Sequence, residues 1–280
     1  MIADERISEY LLALEPEMPD YLVKLEQKAK ADEVPIIRKD AQALLRFLLR
    51  MKRPARILEI GTAVGFSCLY MSEYMPEEAL IATIEKVPMR IRPAKENFVS
   101  APGCGRIALL VGDAAQVLRT LAEERVLAEN RSFPVKDEGT ESPERKMESA
   151  IFREASGKMQ DPEKKAERLE EIFLPAGDKS AWNGQALSEQ YDFIFMDAAK
   201  GQYMNFLPNI LQLLSPEGIF VTDNVLQEGS LADSKFAITR RDRTIHKRMR
   251  DYLFELTHND RLNTTVLPVG DGMTITTFMK

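Results

Sequence analysis

Asp197, Asp223 and Asn224 are the residues whose types and spacing can do chemistry. Tyr191-Asp192-Phe193-Ile194-Phe195-Met196 leads into the first, and Ile219-Phe220-Val221-Thr222 leads into the other two. Short apolar runs of this kind read as buried strands. Acids at the carboxyl ends of parallel strands face the crevice where open α/β sheets bind their ligands. Two anionic oxygens and one amide oxygen suit a hard divalent cation such as Mg²⁺, with water and substrate completing an octahedron. A cation held there can grip two neighbouring substrate oxygens and lower the pKa of one, producing an oxyanion near neutral pH. Lys200 stands one loop turn beyond Asp197. It can take up the proton or stabilise the developing charge.

These donors need a sheet to align them, and Arg56-Ile57-Leu58-Glu59-Ile60-Gly61-Thr62-Ala63-Val64-Gly65-Phe66-Ser67 organises it. An apolar run carrying an acid meets a glycine turn and then the start of a helix, which is how a nucleotide-type ligand is received. Gly61 and Gly65 let the backbone pass close to that ligand, and the free N–H groups of the new helix face it. A dinucleotide fingerprint would place glycines at 61, 63 and 66, but the chain has Ala63 and Phe66. NAD is therefore disfavoured. Glu59 points instead to a ligand bearing positive charge. Two further strands are expected, residues 80–84 ending at Glu85 and residues 106–111 ending at Gly112-Asp113-Ala114. Glu85 lies 24 positions after Gly61, a spacing suited to an acid accepting both ribose hydroxyls, and Asp113 would then lie over an adenine.

With 280 residues, 44% of them apolar, the chain is read as one large α/β domain over 1–280. The net charge of −6 argues against a generic polyanion binder without excluding a local basic face. Cys68 and Cys104 lack Cys-x-x-Cys spacing, so neither a disulfide framework nor a zinc site is indicated. No leader pattern and no membrane-length apolar stretch is visible, which gives a cytoplasmic expectation. Ile7, Tyr10, Leu11 and Leu14 recur at helical spacing, and helices are expected over 21–30 and around Leu44, Leu45, Leu48 and Leu49. From 126 to 187 the alternation of strand and helix gives way to a charged insertion, with helices expected over 144–154 and 162–173 and Trp182 as an anchor to the body. Residues 215–218 read as a turn, 239–256 as a helix, and 263–268 and 273–278 as strands around a Gly270-Asp271-Gly272 hairpin turn. The 239–256 helix places Arg240, Arg243, Lys247 and Arg250 on one face, a candidate grip for nucleic-acid phosphates, and Ile245, Met249, Leu253 and Leu256 on another.

Four stretches carry a resemblance: Glu59 to Ser67, Asp197-Ala198-Ala199-Lys200-Gly201-Gln202-Tyr203, Thr222-Asp223-Asn224-Val225-Leu226 and Pro268-Val269-Gly270-Asp271-Gly272. Together they resemble the catechol-type, metal-dependent class I O-methyltransferases. More closely, they resemble the bacterial branch that converts 5-hydroxyuridine to 5-methoxyuridine at the tRNA wobble position. The resemblance covers about residues 1–125 and 188–280, and the insertion departs from it. It implies a doubly wound, Rossmann-like α/β fold with a seven-stranded, mostly parallel sheet and an antiparallel final strand. S-adenosylmethionine would be the methyl donor, contacted by Val34, Glu59, Gly61, Ser67, Glu85, Asp113, Ala114 and Asp197. Mg²⁺ would sit on Asp197, Asp223 and Asn224, with Lys200 and Asp197 catalytic, tRNA as substrate and a homodimer as the assembly. The rival expectations are a methyltransferase of small catechol or caffeoyl-type phenols and a nucleotide-binding module without catalysis.

Overall fold

Among the described residues, eight strands assemble into a sheet covered on both sides. They are β1 (Arg56–Ile60), β2 (Leu80–Glu85), β3 (Ile107–Val111), β4 (Glu171–Phe173), β5 (Tyr191–Met196), β6 (Leu214–Thr222), β7 (Leu262–Leu267) and β8 (Met273–Phe278). The computed structural model describes residues 5–132, 171–175, 182, 187–227, 229–232 and 243–280. Sheet order is β4-β3-β2-β1-β5-β6-β8-β7. β1 pairs in parallel with β2 and β5, as do β2 with β3 and β5 with β6. β8 runs against both its neighbours, so the final strand is antiparallel as expected. The chain winds outward from β1 in one direction and restarts at β5 in the other. This opens the switch-point crevice beyond the carboxyl ends of β1 and β5.

Side-chain parity divides the core in two. Leu58, Ile60, Ala82, Ile84, Ile194 and Met196 face a layer built by α6 (Ala114–Ser132), α7 (Tyr203–Leu213) and α8 (Arg243–His258). Ile57, Ile81, Leu109, Phe193 and Val221 face α2 (Asp20–Ala31), α3 (Lys39–Lys52), α4 (Phe66–Tyr74) and α5 (Pro88–Ser100). Trp182 is buried in the first layer, matching its expected anchoring role. α1 (Glu5–Ala13) does not bury its stripe: Ile7, Tyr10, Leu11 and Leu14 are each more than half exposed.

Several local readings are corrected. The sheet has eight strands because β4 adds to the edge at β3, with Leu110 opposite Ile172. The expected helix over 162–173 does not reach Phe173. Ile172 and Phe173 fit a strand edge as well as a helix stripe, and Lys95 settles the choice. Its ammonium lies 2.7 Å from both Glu171 oxygens and 5.0 Å from the Phe173 ring centroid. The remainder of 162–173 and all of 144–154 lie outside the described residues. Residues 215–218, read as a turn, belong to β6, whose pairing with β5 shifts register between Tyr191 and Phe193. On α8 the buried face is His246, Met249, Tyr252 and Leu256, while Ile245 is exposed.

Candidate active site

Backbone contacts bring four strand ends flush, those of β2, β1, β5 and β6. The Asp197 N–H donates to the Ile60 carbonyl and the Asp223 N–H to the Met196 carbonyl, each at 3.0 Å, while Gly61 and Thr62 donate to the Ile84 carbonyl. Gly61 has φ +107°, and a Cβ there would overlap the Asp197 carbonyl oxygen. The turns after β1 and β5 therefore touch only because residue 61 is glycine. Ala63 also adopts a left-handed φ of 47°, a cost offset by its N–H bond of 2.8 Å to Glu85 Oε2. Glu85 Oε1 in turn accepts from the Lys86 and Val87 N–H groups.

The acids of this region sit in different states. Glu59 is fully buried under the turn. Burial, reinforced by the charges of Asp197 and Glu85, pushes its pKa up to about 7 against the hydroxyls of Ser67 and Thr83. Its Oε1 has no hydrogen-bond partner among the described residues. Burial also works against the charge on Asp113. There Lys86 and the Ala115 and Gln116 N–H groups outweigh it, holding the carboxyl below its ordinary value.

Asp223 is 2% exposed. Burial first, then the charges of Asp197 and Asp271, push its pKa up to about 7, opposed by the Asn224 N–H and Lys200. Asp197 is likewise raised by burial, with Lys200 and Arg90 pulling the other way. Asn224 takes a left-handed φ of 58°, and its N–H donates to Asp223 Oδ1 at 2.7 Å. The Tyr203 hydroxyl ties the two loops, accepting from the Ala198 N–H and donating to the Asp223 carbonyl, both at 3.3 Å. Asp197 raises Asp223 across the two loops, and with the neighbouring Asn224 carboxamide these acids form a donor set that fits a hard divalent cation. No cluster of three His, Cys, Asp or Glu side chains suited to a metal occurs among the described residues; here the third donor is an amide.

Asp271, which the sequence places in a hairpin turn and a resemblance motif without a role of its own, completes this end of the site. The Leu226 N–H donates to the Asp271 carbonyl and the Val225 N–H to the Gly272 carbonyl, both at 2.9 Å. The Gly270 N–H is pinned by Asp40 at 2.7 Å. These bonds hold the hairpin turn against the loop after β6, and Asp271 Oδ2 lies 3.7 Å from the Lys200 ammonium.

A cavity of about 680 Å³ opens over these strand ends, a size ordinary for a small-molecule site. Gly61, Ser67, Glu85, Asp113, Ala114, Asp197, Lys200 and Asn224 line it, together with Arg38, Lys86, Arg90, Gln202, Phe206 and Asp271, which sequence reasoning missed. Glu59 and Asp223 do not line it. Neither does Val34; Pro35, Ile36, Ile37 and Arg38 form that wall. Of the cationic stripe, Arg240 lies outside the described residues and Arg243 is exposed at the start of α8. Lys247 pairs with Asp251 at 2.9 Å, and Arg250 donates to the Leu231 carbonyl. Arg248 was not part of the expected stripe, yet it donates to the Gly201 carbonyl at 3.0 Å and so fastens α8 to the Lys200 loop.

Caffeoyl-CoA O-methyltransferase 2 of Populus trichocarpa is 33% identical over 117 residues, 40% of this chain and 46% of that protein. Tricin synthase 1 of Oryza sativa subsp. japonica is 24% identical over 84% of this chain and 71% of its own length. Among solved structures, SAH-bound PaMTH1 of Podospora anserina superposes with a TM-score of 0.67 at 22% identity, covering 99% of this chain and 95% of that one. The profile of the O-methyltransferase family matches residues 7–135 and 160–278, breaking only inside the insertion. By that match, and on a sheet wound the same way, the chain belongs to the O-methyltransferase family, enzymes that draw their methyl group from S-adenosylmethionine.

Proposed function

We propose that the protein is a Mg²⁺-dependent methyltransferase that converts 5-hydroxyuridine to 5-methoxyuridine at the tRNA wobble position. What supports the reading is that Asp197, Lys200 and Asn224 line one cavity, and that Asp223, next to Asn224, feels the charges of Asp197 and Lys200. In 5-hydroxyuridine the 5-hydroxyl and 4-carbonyl are neighbouring oxygens, the pair such a donor set serves. Arg248 supports the RNA side of the reading, because it fastens a cationic helix to the catalytic loop.

When bound, Mg²⁺ supplies a Lewis acid that favours the ionised hydroxyl, and S-adenosylmethionine supplies the methyl on its sulphonium. Asp197, Asp223 and Asn224 would hold the cation. Glu85 accepts the ribose hydroxyls, Asp113 stands at the adenine end, and Glu59 offers the cofactor ammonium a buried counter-charge. Lys200, an ammonium held beside Asp271, would stabilise the developing oxyanion, and the hydroxyl proton would leave to solvent. The new O–CH₃ bond forms as the S–CH₃ bond breaks, leaving S-adenosylhomocysteine and the methyl ether. Alignment of oxygen, carbon and sulphur contributes the rest of the rate.

A small catechol-like phenol is the second reading, favoured by the names of the relatives, caffeoyl-CoA O-methyltransferase and tricin synthase. It also suits the internal pairing of Lys247. The deciding experiment incubates the enzyme with bulk tRNA from cells lacking it and, separately, with a catechol panel, followed by mass spectrometry. 5-Methoxyuridine in the tRNA supports the first reading; methylated catechols with unchanged tRNA replace it with the second. Asp197→Ala and Asp223→Ala should abolish turnover in either case, with S-adenosylmethionine binding followed separately by calorimetry.

A further inference from the structure

Four cations line the cavity, and two of them are neutralised: Lys86 pairs with Asp113 at 2.9 Å and Lys200 lies 3.7 Å from Asp271. The guanidinium groups of Arg38 and Arg90 make no ion pair or hydrogen bond among the described residues. They come from separate elements and both stand close to the reaction centre. Arg38 immediately precedes α3. A Cβ on Gly270 would lie 3.9 Å from the Arg38 Cβ and 3.8 Å from Asp223 Oδ1, so this arginine begins beside the metal-donor loop. Arg90 is in the first turn of α5, and its charge is felt at Asp197.

An exposed arginine is ordinarily solvated and contributes little. These two differ because the site around them is rich in acids, Glu85, Asp197 and Asp271 among them, yet neither arginine is paired with any acid among the described residues. A guanidinium fork matches the oxygens of a phosphate better than any other side chain. For a uracil in an RNA loop to bring its 4-carbonyl and 5-hydroxyl to the strand ends, its nucleotide must leave the stack. That movement carries the two flanking phosphodiesters to the rim of the cavity.

We propose that Arg38 and Arg90 form a two-point clamp on the phosphodiesters flanking the target nucleotide, selecting a polynucleotide over a free phenol. The clamp rests on the tRNA reading above. Its test is a cycle between protein and RNA. An anticodon stem-loop containing 5-hydroxyuridine is made with natural linkages, and again with neutral methylphosphonates on both sides of that nucleotide. The wild-type kcat/KM should fall about tenfold or more on the neutral RNA. R38Q and R90Q should each lose about tenfold on the natural RNA, and the difference between the two RNAs should shrink to about twofold in the double variant. Effects of Arg90 on the reaction centre cancel in that comparison. The slope of log kcat/KM against log salt should flatten by about 0.7 per arginine removed. R38K and R90K should keep the slope while recovering only part of the rate. An unchanged methylphosphonate penalty in the double variant overturns the clamp alone, as does weaker S-adenosylmethionine binding without any change in RNA discrimination. A wild-type enzyme that leaves the natural stem-loop unmethylated overturns the tRNA reading itself.

Discussion

Glu59 is an acid kept under the cofactor turn at a pKa of about 7, where an unfolded glutamate titrates near 4.5. Between those values the folded chain holds a proton that the unfolded chain has lost, so stability falls as pH rises through that window and levels off above about 7. The shift corresponds to about 3 kcal/mol. Without cofactor, Glu59→Gln should match the wild type near pH 4 and gain on it as pH rises, by about 3 kcal/mol at pH 8 relative to pH 4. Urea unfolding across that range reads the difference, and parallel curves would show that Glu59 is already ionised. A second expectation concerns Lys200: Lys200→Met should cut kcat by about a hundredfold or more while leaving S-adenosylmethionine binding within a few-fold, as calorimetry and steady-state rates can check. At this scale the acids were legible because each lies within or just beyond an apolar run. Asp271 was hidden by its role in a turn, and Arg38 and Arg90 gave no local signal, since an exposed cation looks the same in sequence whether it lines a cavity or open solvent.

The turns depend on backbone as much as on side chains. Gly61 and Gly229 both have positive φ, but a Cβ on Gly61 would collide with the Asp197 carbonyl, whereas one on Gly229 would meet nothing within 4 Å. Gly229→Ala should therefore cost only the strain of a left-handed alanine, about 1 kcal/mol. Gly61→Ala should cost several times as much, because the turns after β1 and β5 must separate. Chemical denaturation with unchanged m-values distinguishes the two; equal losses would mean that the turns tolerate displacement. The strands that carry this geometry, β1, β2, β3, β5 and the carboxyl half of β6, were readable because buried parallel strands are continuous apolar runs bounded by turns. β4 was not. Glu171-Ile172-Phe173 has too few residues to show a period, and its state is decided by the exposed edge of β3 and by Lys95 on a distant helix.

Among the described residues, the N-terminal helix leaves its apolar stripe without cover. Ile7, Tyr10, Leu11 and Leu14 of the N-terminal segment are each more than half exposed, an arrangement that a monomer in water does not favour. Helical spacing predicted the stripe correctly but could not say what it faces. We propose that it faces a second copy of this chain, giving the homodimer expected from the resemblance. In a two-fold interface each substitution acts twice. Leu11→Glu removes one apolar contact of about 1.5 kcal/mol per copy, so dissociation should become easier by about 3 kcal/mol, or roughly a hundredfold in Kd. Leu11 is 54% exposed, so the fold itself should keep its unfolding midpoint at concentrations where both proteins are monomeric. Sedimentation equilibrium over a range of micromolar concentrations measures the shift. A wild-type protein that sediments as a monomer throughout, with Leu11→Glu indistinguishable from it, would remove the dimer and leave the stripe to another partner.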